Sequence, residues 1–444
     1  MNSKIDFVNG KTLKALLAMV VPVLLSMILM MAYNMVDSLW IGNLLGEQGY
    51  AALTDSTSVI LILNALALGS GNGISILVSQ VTGAGKKEKT NKIIGAIVVM
   101  AAVFSIVIAI IAESGLWPLI HMLQTPVAVE QAAYDYLQIY LLGYVFIFIY
   151  LQFTAIMRSF GDPVFQLKGM LATTVLNAVL DPLMINWMGL KGAAIATVIS
   201  EIVCLLYAFY YYKKKEMFKI CISKEGMSYA KDILKDAVLA AVQQCIPAIS
   251  SAVMVALVGR YGLTAVAGYG VATKLEIFLF YPAMAVNMGL TAIVGQCIGA
   301  GRYDRVKDYT KYACITGGIF IAVLSAAVIL LSGSLSGLFV KGAVIAEIVK
   351  QFFFTISIGY VLYMLTSCFL GKFSGLGKPG LSMILFVFYY IVVRIPLAQI
   401  LIGSMGLNGI WIAILISHVL STVLAIIINF VINRKKEGVC LAQN

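Results

Sequence analysis

Long apolar runs separated by short polar interruptions make up almost the whole chain. Twelve can be counted, at 15–41, 50–80, 90–119, 133–157, 164–186, 191–212, 236–259, 264–296, 310–338, 348–371, 380–402 and 408–431. An α-helix of ~20 residues crosses a hydrocarbon core, so each run predicts one span, and the longer ones predict tilt, bends or extensions beyond the lipid. The predicted fold is all-α, a polytopic membrane protein of twelve transmembrane helices.

Two of these runs carry acids. Asn177 and Asp181 are four residues apart and stack on one helical face with Thr174 and Met170. In the first run Ser26, Met30, Tyr33, Asn34 and Asp37 form a second polar stripe. Asn34 or Thr174 alone reads equally well as interhelical glue. An Asp deep in a bilayer segment costs on the order of 3 kcal/mol, so it persists where an ion, a proton or a substrate needs it. Two carboxylates sharing a low-dielectric site cannot both stay ionised cheaply, which predicts exchange of a proton there. A sodium ion held by oxygens of Asp37, Asn177 and Asp181 is the alternative. Glu201, one turn after Thr197, is a further intramembrane acid and a candidate to line the same cavity.

Composition agrees with the pattern: 444 residues, 61% hydrophobic and 11% charged, with mean hydropathy +0.97, exclude a soluble globular chain. The net charge of +11 changes the picture only through its placement. Sorted by alternating loops, 25 Lys and Arg fall on one side and four (Lys191, Arg260, Lys341 and Lys350) on the other, with Lys274 and Arg394 inside spans. The 25 include Lys4, Lys86, Lys214, Arg302 and Lys435. By the positive-inside rule both termini are cytoplasmic, and the charge reports topology rather than nucleic-acid binding. The expected location is the plasma membrane, with the lipid bilayer as partner and a monomer as the working unit. Seven cysteines, Cys440 among them, have no ligand-like spacing, His121 and His418 are isolated, and no phosphate-binding Gly-rich loop is present, so no metal, cofactor or ATP is expected.

The chain also repeats itself. At an offset of 216, Gln80-Val81-Thr82-Gly83-Ala84-Gly85 answers Gln296-Cys297-Ile298-Gly299-Ala300-Gly301, and Gly161-Asp162-Pro163 answers Gly377-Lys378-Pro379. Met188-Gly189-Leu190-Lys191-Gly192 answers Met405-Gly406-Leu407-Asn408-Gly409 one residue later. This predicts two six-helix lobes of the same orientation, 1–212 and 236–433, with a basic linker 213–235 and a tail 434–444. Each lobe opens with a proline well inside its first span, Pro22 and Pro247, where a helix is able to bend, although by spacing alone Pro22 reads equally well as the start of the buried part.

The halves differ where the acids are. Around Val393 to Leu397 the second half has Arg394 in place of the acid pair, and its other intramembrane charges are Lys274 and Glu276. Unpaired membrane charges are costly, so Glu276 and Arg394 form the expected pair within a second-lobe polar network.

These residues together resemble the multidrug and toxic compound extrusion (MATE) transporters over nearly the whole chain. The features that carry the resemblance are the two lobes, the repeated Gln-x-x-Gly-Ala-Gly ends, Arg158-Ser159-Phe160-Gly161-Asp162-Pro163 and Asn177-Ala178-Val179-Leu180-Asp181-Pro182. The resemblance implies a V-shaped pair of bundles that alternately opens a central cavity, and export of cationic or amphipathic compounds in antiport with H+ or Na+. It implies cation-coupling roles for Asp37, Tyr33, Asn177, Asp181 and Thr197, and helix bending at Pro22. The acid that one branch carries after its seventh-helix proline is absent here, Val253, Met254 and Val255 occupying that region. Two other functions compete. A flippase for a lipid-linked precursor would want an arginine-lined cavity, for which only Arg394 and Lys274 would serve. An intramembrane enzyme using Asp37 and Asp181 would want a recognised catalytic arrangement, and none occurs.

Overall fold

The computed structural model describes residues 5–123, 125–337 and 342–441, with side chains through Arg434. Lys4 and Lys341, and the side chains of Lys435, Lys436 and Cys440, lie outside the described residues. In chain order the helices are α1 (Thr12–Gly83), α2 (Lys87–Ser114), α3 (Leu116–Met122), α4 (Val127–Ser159), α5 (Val164–Met188), α6 (Leu190–Lys215) and α7 (Lys224–Met227). There follow α8 (Ala230–Gly259), α9 (Leu263–Gly299), α10 (Tyr303–Ser336), α11 (Ala343–Gly375), α12 (Pro379–Val387), a π-helical turn (Phe388–Val393), α13 (Arg394–Met405) and α14 (Leu407–Leu441). Among the described residues, eleven continuous helical segments are long and apolar enough to cross a membrane. The first of them is two spans merged across a kink at Gly46 (φ 67°, ψ −157°). Pro22 does not interrupt α1, and the Ser26 hydroxyl donates to the Pro22 carbonyl at 2.7 Å.

The chain forms two compact units, one of residues up to 10 and 17–241, the other of residues 11–16 and 242 onward, so that α8 contributes to both. In the first, α6 packs between α4 and α5, and α2 lies on α4. Close approach is built from glycine: a Cβ on Gly143 would sit 2.3 Å from Val198 Cγ2, and one on Gly73 would sit 2.3 Å from the Asp236 carbonyl oxygen. In the second, α11 is central, flanked by α9, α10 and α14. The basic segment after α6 is folded rather than loose. Phe218 is buried and stacks on Phe160, Lys92 bridges to Glu225 at 2.7 Å, and Ser223 caps α7.

The repeat is written in the backbone. The glycines with positive φ among the described residues are Gly46, Gly85, Gly161 and Gly189, then Gly262, Gly301, Gly377 and Gly406, four pairs 216 or 217 residues apart. Each ends a span in a conformation that L side chains rarely adopt, which is why the turns keep glycine. The slip from 216 to 217 falls between Gly377 and Gly406, and the π-helical turn lies in that interval. A π-bulge is how a helix absorbs one extra residue, so the one-residue offset has a structural address.

Candidate functional site

In the first unit the two acid stripes meet. Asp181 and Asn177 face inward on α5, both with at most 1% of their surface exposed, and Asn177 Nδ2 donates to Asp181 Oδ1 at 2.8 Å. Asp37 of α1, also buried, brings its carboxyl within hydrogen-bonding reach of Asp181. Two ionised carboxylates cannot make that contact, because neither offers a donor. Tyr33, one turn before Asp37, donates to Thr197 Oγ1 of α6 at 3.0 Å. Asp37 Oδ1, Asp181 Oδ2 and Asn177 Oδ1 are all buried without a donor. Buried polar atoms are seldom left so, and three acceptors in one place make a cluster that a proton or small cation satisfies.

The remaining site residues are placed as follows. Asn34, expected on the Asp37 stripe, is exposed. Thr174 spends its hydroxyl on the Met170 carbonyl, so Thr173 rather than Thr174 lies on the buried face. Glu201 lies one turn beyond Thr197 on α6, with Oε2 buried and without a partner. Sequence reasoning missed Tyr136 of α4, which is buried beside Thr197 and within the fields of Asp37 and Asp181. Its signal was a run of Tyr136, Tyr140 and Tyr144 at four-residue spacing, one aromatic-hydroxyl stripe down α4.

The second unit has a different network. Glu276 of α9 accepts from Tyr360 at 3.1 Å; Arg394 donates to Ser417 Oγ at 3.2 Å and to Tyr389, and its guanidinium lies 4.5 and 4.6 Å from the Tyr389 and Tyr390 ring centres. Tyr389 also pairs with His418 Nδ1 at 3.0 Å. Arg394 and Glu276 are close enough to feel each other's field but make no direct ion pair among the described residues; each is bonded to a different tyrosine instead, Glu276 to Tyr360 and Arg394 to Tyr389. Lys274 is on the exposed face of α9, away from Glu276. In an α-helix residues 389 and 394 would be about 140° apart. The wider π turn brings them to one side, which lets Arg394 bond Tyr389.

Among the described residues no group of His, Cys, Asp and Glu is arranged to hold a metal. A groove of about 480 Å³ runs along Lys168, Leu171, Ala172, Val175, Leu176 and Val179, the face of α5 turned away from the acids.

The MatE family model matches residues 22–183 and again 240–400. The probable multidrug resistance protein YpnP of Bacillus subtilis is 31% identical over 304 residues, 68% of each chain. An FAD transporter of Shewanella oneidensis is 22% identical over 417 residues, 92% of each. Among solved structures, the outward-facing conformation of a multidrug resistance MATE family transporter of the MOP superfamily superposes with a TM-score of 0.91 at 23% identity, covering 98% of this chain and 99% of that one.

Proposed function

Because the chain belongs to the MatE family, a family of transporters rather than enzymes, we propose that it exports amphipathic organic cations in antiport with protons or sodium ions. The observation that carries this is the buried cluster of Asp37, Asn177 and Asp181, in which one oxygen of each side chain is left without a donor. A site with buried carboxylates is stable when it holds positive charge and costly when empty. An inward-moving proton or sodium ion and an outward-moving organic cation therefore compensate the same acids at different moments, which couples the two fluxes. Ion binding removes the repulsion between Asp37 and Asp181 and frees the Asp181 bond to Asn177. The first helix, carrying Asp37 with Tyr33 above Pro22, is the element able to respond by bending.

The orientation in this reading places the basic ends of the helices, including Lys213, Lys214 and Lys215, in the cytoplasm, and the Met188-Gly189 turn outside. The lobes 1–212 and 236–433 act as the two moving bodies in the plasma membrane, a monomer sufficing for transport. A flippase reading is less favoured, since Arg394 is already committed to Tyr389, Tyr390 and Ser417.

Purified protein in proteoliposomes, loaded with ethidium, tests the proposal under pH and sodium gradients imposed separately, with FAD as an anionic comparison. Gradient-driven ethidium movement lost in Asp181→Asn supports it; ethidium movement indifferent to both gradients, or unchanged in that variant, refutes it.

A further inference from the structure

From the acid pair, a trail of polar groups continues along one face of α6 toward its basic end. Thr197, Glu201, Cys204, Tyr207 and Tyr211 are spaced by four, three, three and four residues, a single helical stripe of about 21 Å at 1.5 Å per residue. Its upper end is the cluster already described. Tyr33, bonded to Thr197, lies in the fields of both Asp37 and Glu201, so it stands between the outer acids and the inner one. Further down, Cys204 meets the Thr173 hydroxyl and the Gly169 carbonyl of α5. The last rung is Tyr211, which donates to Asp162 Oδ2 at 2.5 Å in the turn between α4 and α5, where Asp162 is itself 2% exposed.

Along this trail sit polar atoms that are buried and unpartnered: Ser200 Oγ, Glu201 Oε2, Tyr150 OH and Asp162 Oδ1. The titratable groups facing Glu201 are Tyr33 of α1, Tyr140 and Tyr150 of α4 and Cys204 of its own helix. Among the described residues no Lys or Arg is paired with it. A stripe that served packing alone would gain from a leucine or glutamine at 201, since a buried carboxyl with an idle oxygen costs about 1–3 kcal/mol or more. The repeat supplies a second sign. Position 201 answers 418 at the offset of 217, and there too the residue is titratable, His418, hydrogen-bonded inside its own lobe.

We infer that this face of α6 is the inward proton route of the transporter, with Glu201 its intermediate acceptor and Asp162 its inner terminus. The inference rests on the acid pair being the coupling site and commits the coupling ion to the proton. Each step breaks one O–H bond and forms another. The acid pair gives up its proton through the Tyr33 and Thr197 hydroxyls, each of which releases one proton and receives one, and Glu201 becomes neutral. Glu201 then passes the proton through water at the unpartnered hydroxyls to Asp162, and Asp162 releases it to cytoplasmic water.

The test uses the full chain in proteoliposomes with ethidium as cargo. Wild type, Asp181→Asn, Glu201→Gln and Glu201→Asp are compared for pH-driven transport and for ethidium–ethidium exchange without a gradient. Glu201→Gln should lose pH-driven transport at least tenfold while keeping exchange within twofold, and Glu201→Asp should recover most of it. Equal loss of exchange, or no recovery by Asp, would mean a structural role and overturn the route. Full pH-driven transport in Glu201→Gln with loss in Asp181→Asn would leave the coupling site standing and overturn the route alone. Wild-type transport driven by sodium but not by pH would do the same. Movement indifferent to both gradients would overturn both.

Discussion

Arg394 offers the sharpest quantitative test of the second-lobe network. Replacing it with Met, of similar length and no charge, removes the bonds to Ser417 and Tyr389 and the guanidinium lying against two tyrosine rings. Hydrogen bonds to a charged group are worth about 1.5–3 kcal/mol each, and a desolvated cation–π contact about 2 kcal/mol. Against them stands the several kcal/mol that burying the guanidinium costs. The balance is decided by what remains: Glu276 stays buried with its compensating charge gone, and breaking a buried pair by removing one partner typically costs ~3–5 kcal/mol. Glu276→Gln alone leaves the cation uncompensated and should cost a similar amount. The double variant removes both charges together and should recover at least 2 kcal/mol of the summed loss, since such pairs are often neutral to replace as a unit. Unfolding in mixed micelles by dodecyl sulfate titration, read by tryptophan fluorescence, measures all four proteins. If the single Arg394→Met variant lies within 0.5 kcal/mol of wild type by this measure, or the double is as unstable as the sum, Arg394 and Glu276 do not compensate each other.

Asp37→Asn and Asp181→Asn should each abolish gradient-driven efflux while leaving a folded, monodisperse protein, because an amide supplies the donor the acid pair lacks; aggregation on size exclusion would count against that account. Gly143→Ala should cost ~1–3 kcal/mol through its clash with Val198, with Val198→Ala restoring most of it in a denaturation series. Deleting Ile391 should convert the π turn to α-helix while leaving Tyr389 and Arg394 four residues apart on one face, so this variant should keep their bond and show little of the destabilisation of Arg394→Met in the same titration. In intact cells an impermeant amine reagent should reach Lys191 and leave Lys214 unmodified; the opposite pattern inverts the orientation.

Much of the fold is legible in the sequence because lipid imposes one rule, that spans be long, apolar and helical. The same rule made the acids stand out, and Asp37, Asn177 and Asp181 do meet. What the sequence hides is rotation and partnership. Asn34 and Thr174 sit one residue off the buried faces, an error of 100° that a stripe drawn by eye does not resolve. Tyr136 looked like one apolar residue among many, since what sets it apart, its place beside Thr197, lies 61 positions away along the chain. The linker read as a charge run, yet it folds on its apolar minority, Phe218 above all. The one-residue slip of the repeat was visible, but only the backbone shows that it is a π turn beside Arg394.

That slip places the two lobes' polar sites in correspondence and explains why they differ. Counting by 217 beyond the turn, Asn177 answers Arg394, Asp181 answers Ala398, Ser200 answers Ser417 and Glu201 answers His418. The first lobe presents buried oxygens left without a partner at these positions, whereas the second presents a guanidinium already bonded to Ser417 and Tyr389 and flanked by two rings. A guanidinium is a cation tethered to its own helix; it neutralises its surroundings permanently and cannot leave. The lobe that carries it is therefore electrostatically closed. In the proposed mechanism the other borrows a positive charge from outside, and a borrowed charge can be exchanged, which is what coupling requires. On this view, putting Arg at position 177 beside Asp181 should lock the first lobe as Arg394 locks the second. The Asn177→Arg variant should be well folded and ion-insensitive, with no gradient-driven efflux; residual coupling in it would show that the acids are not what the ion meets.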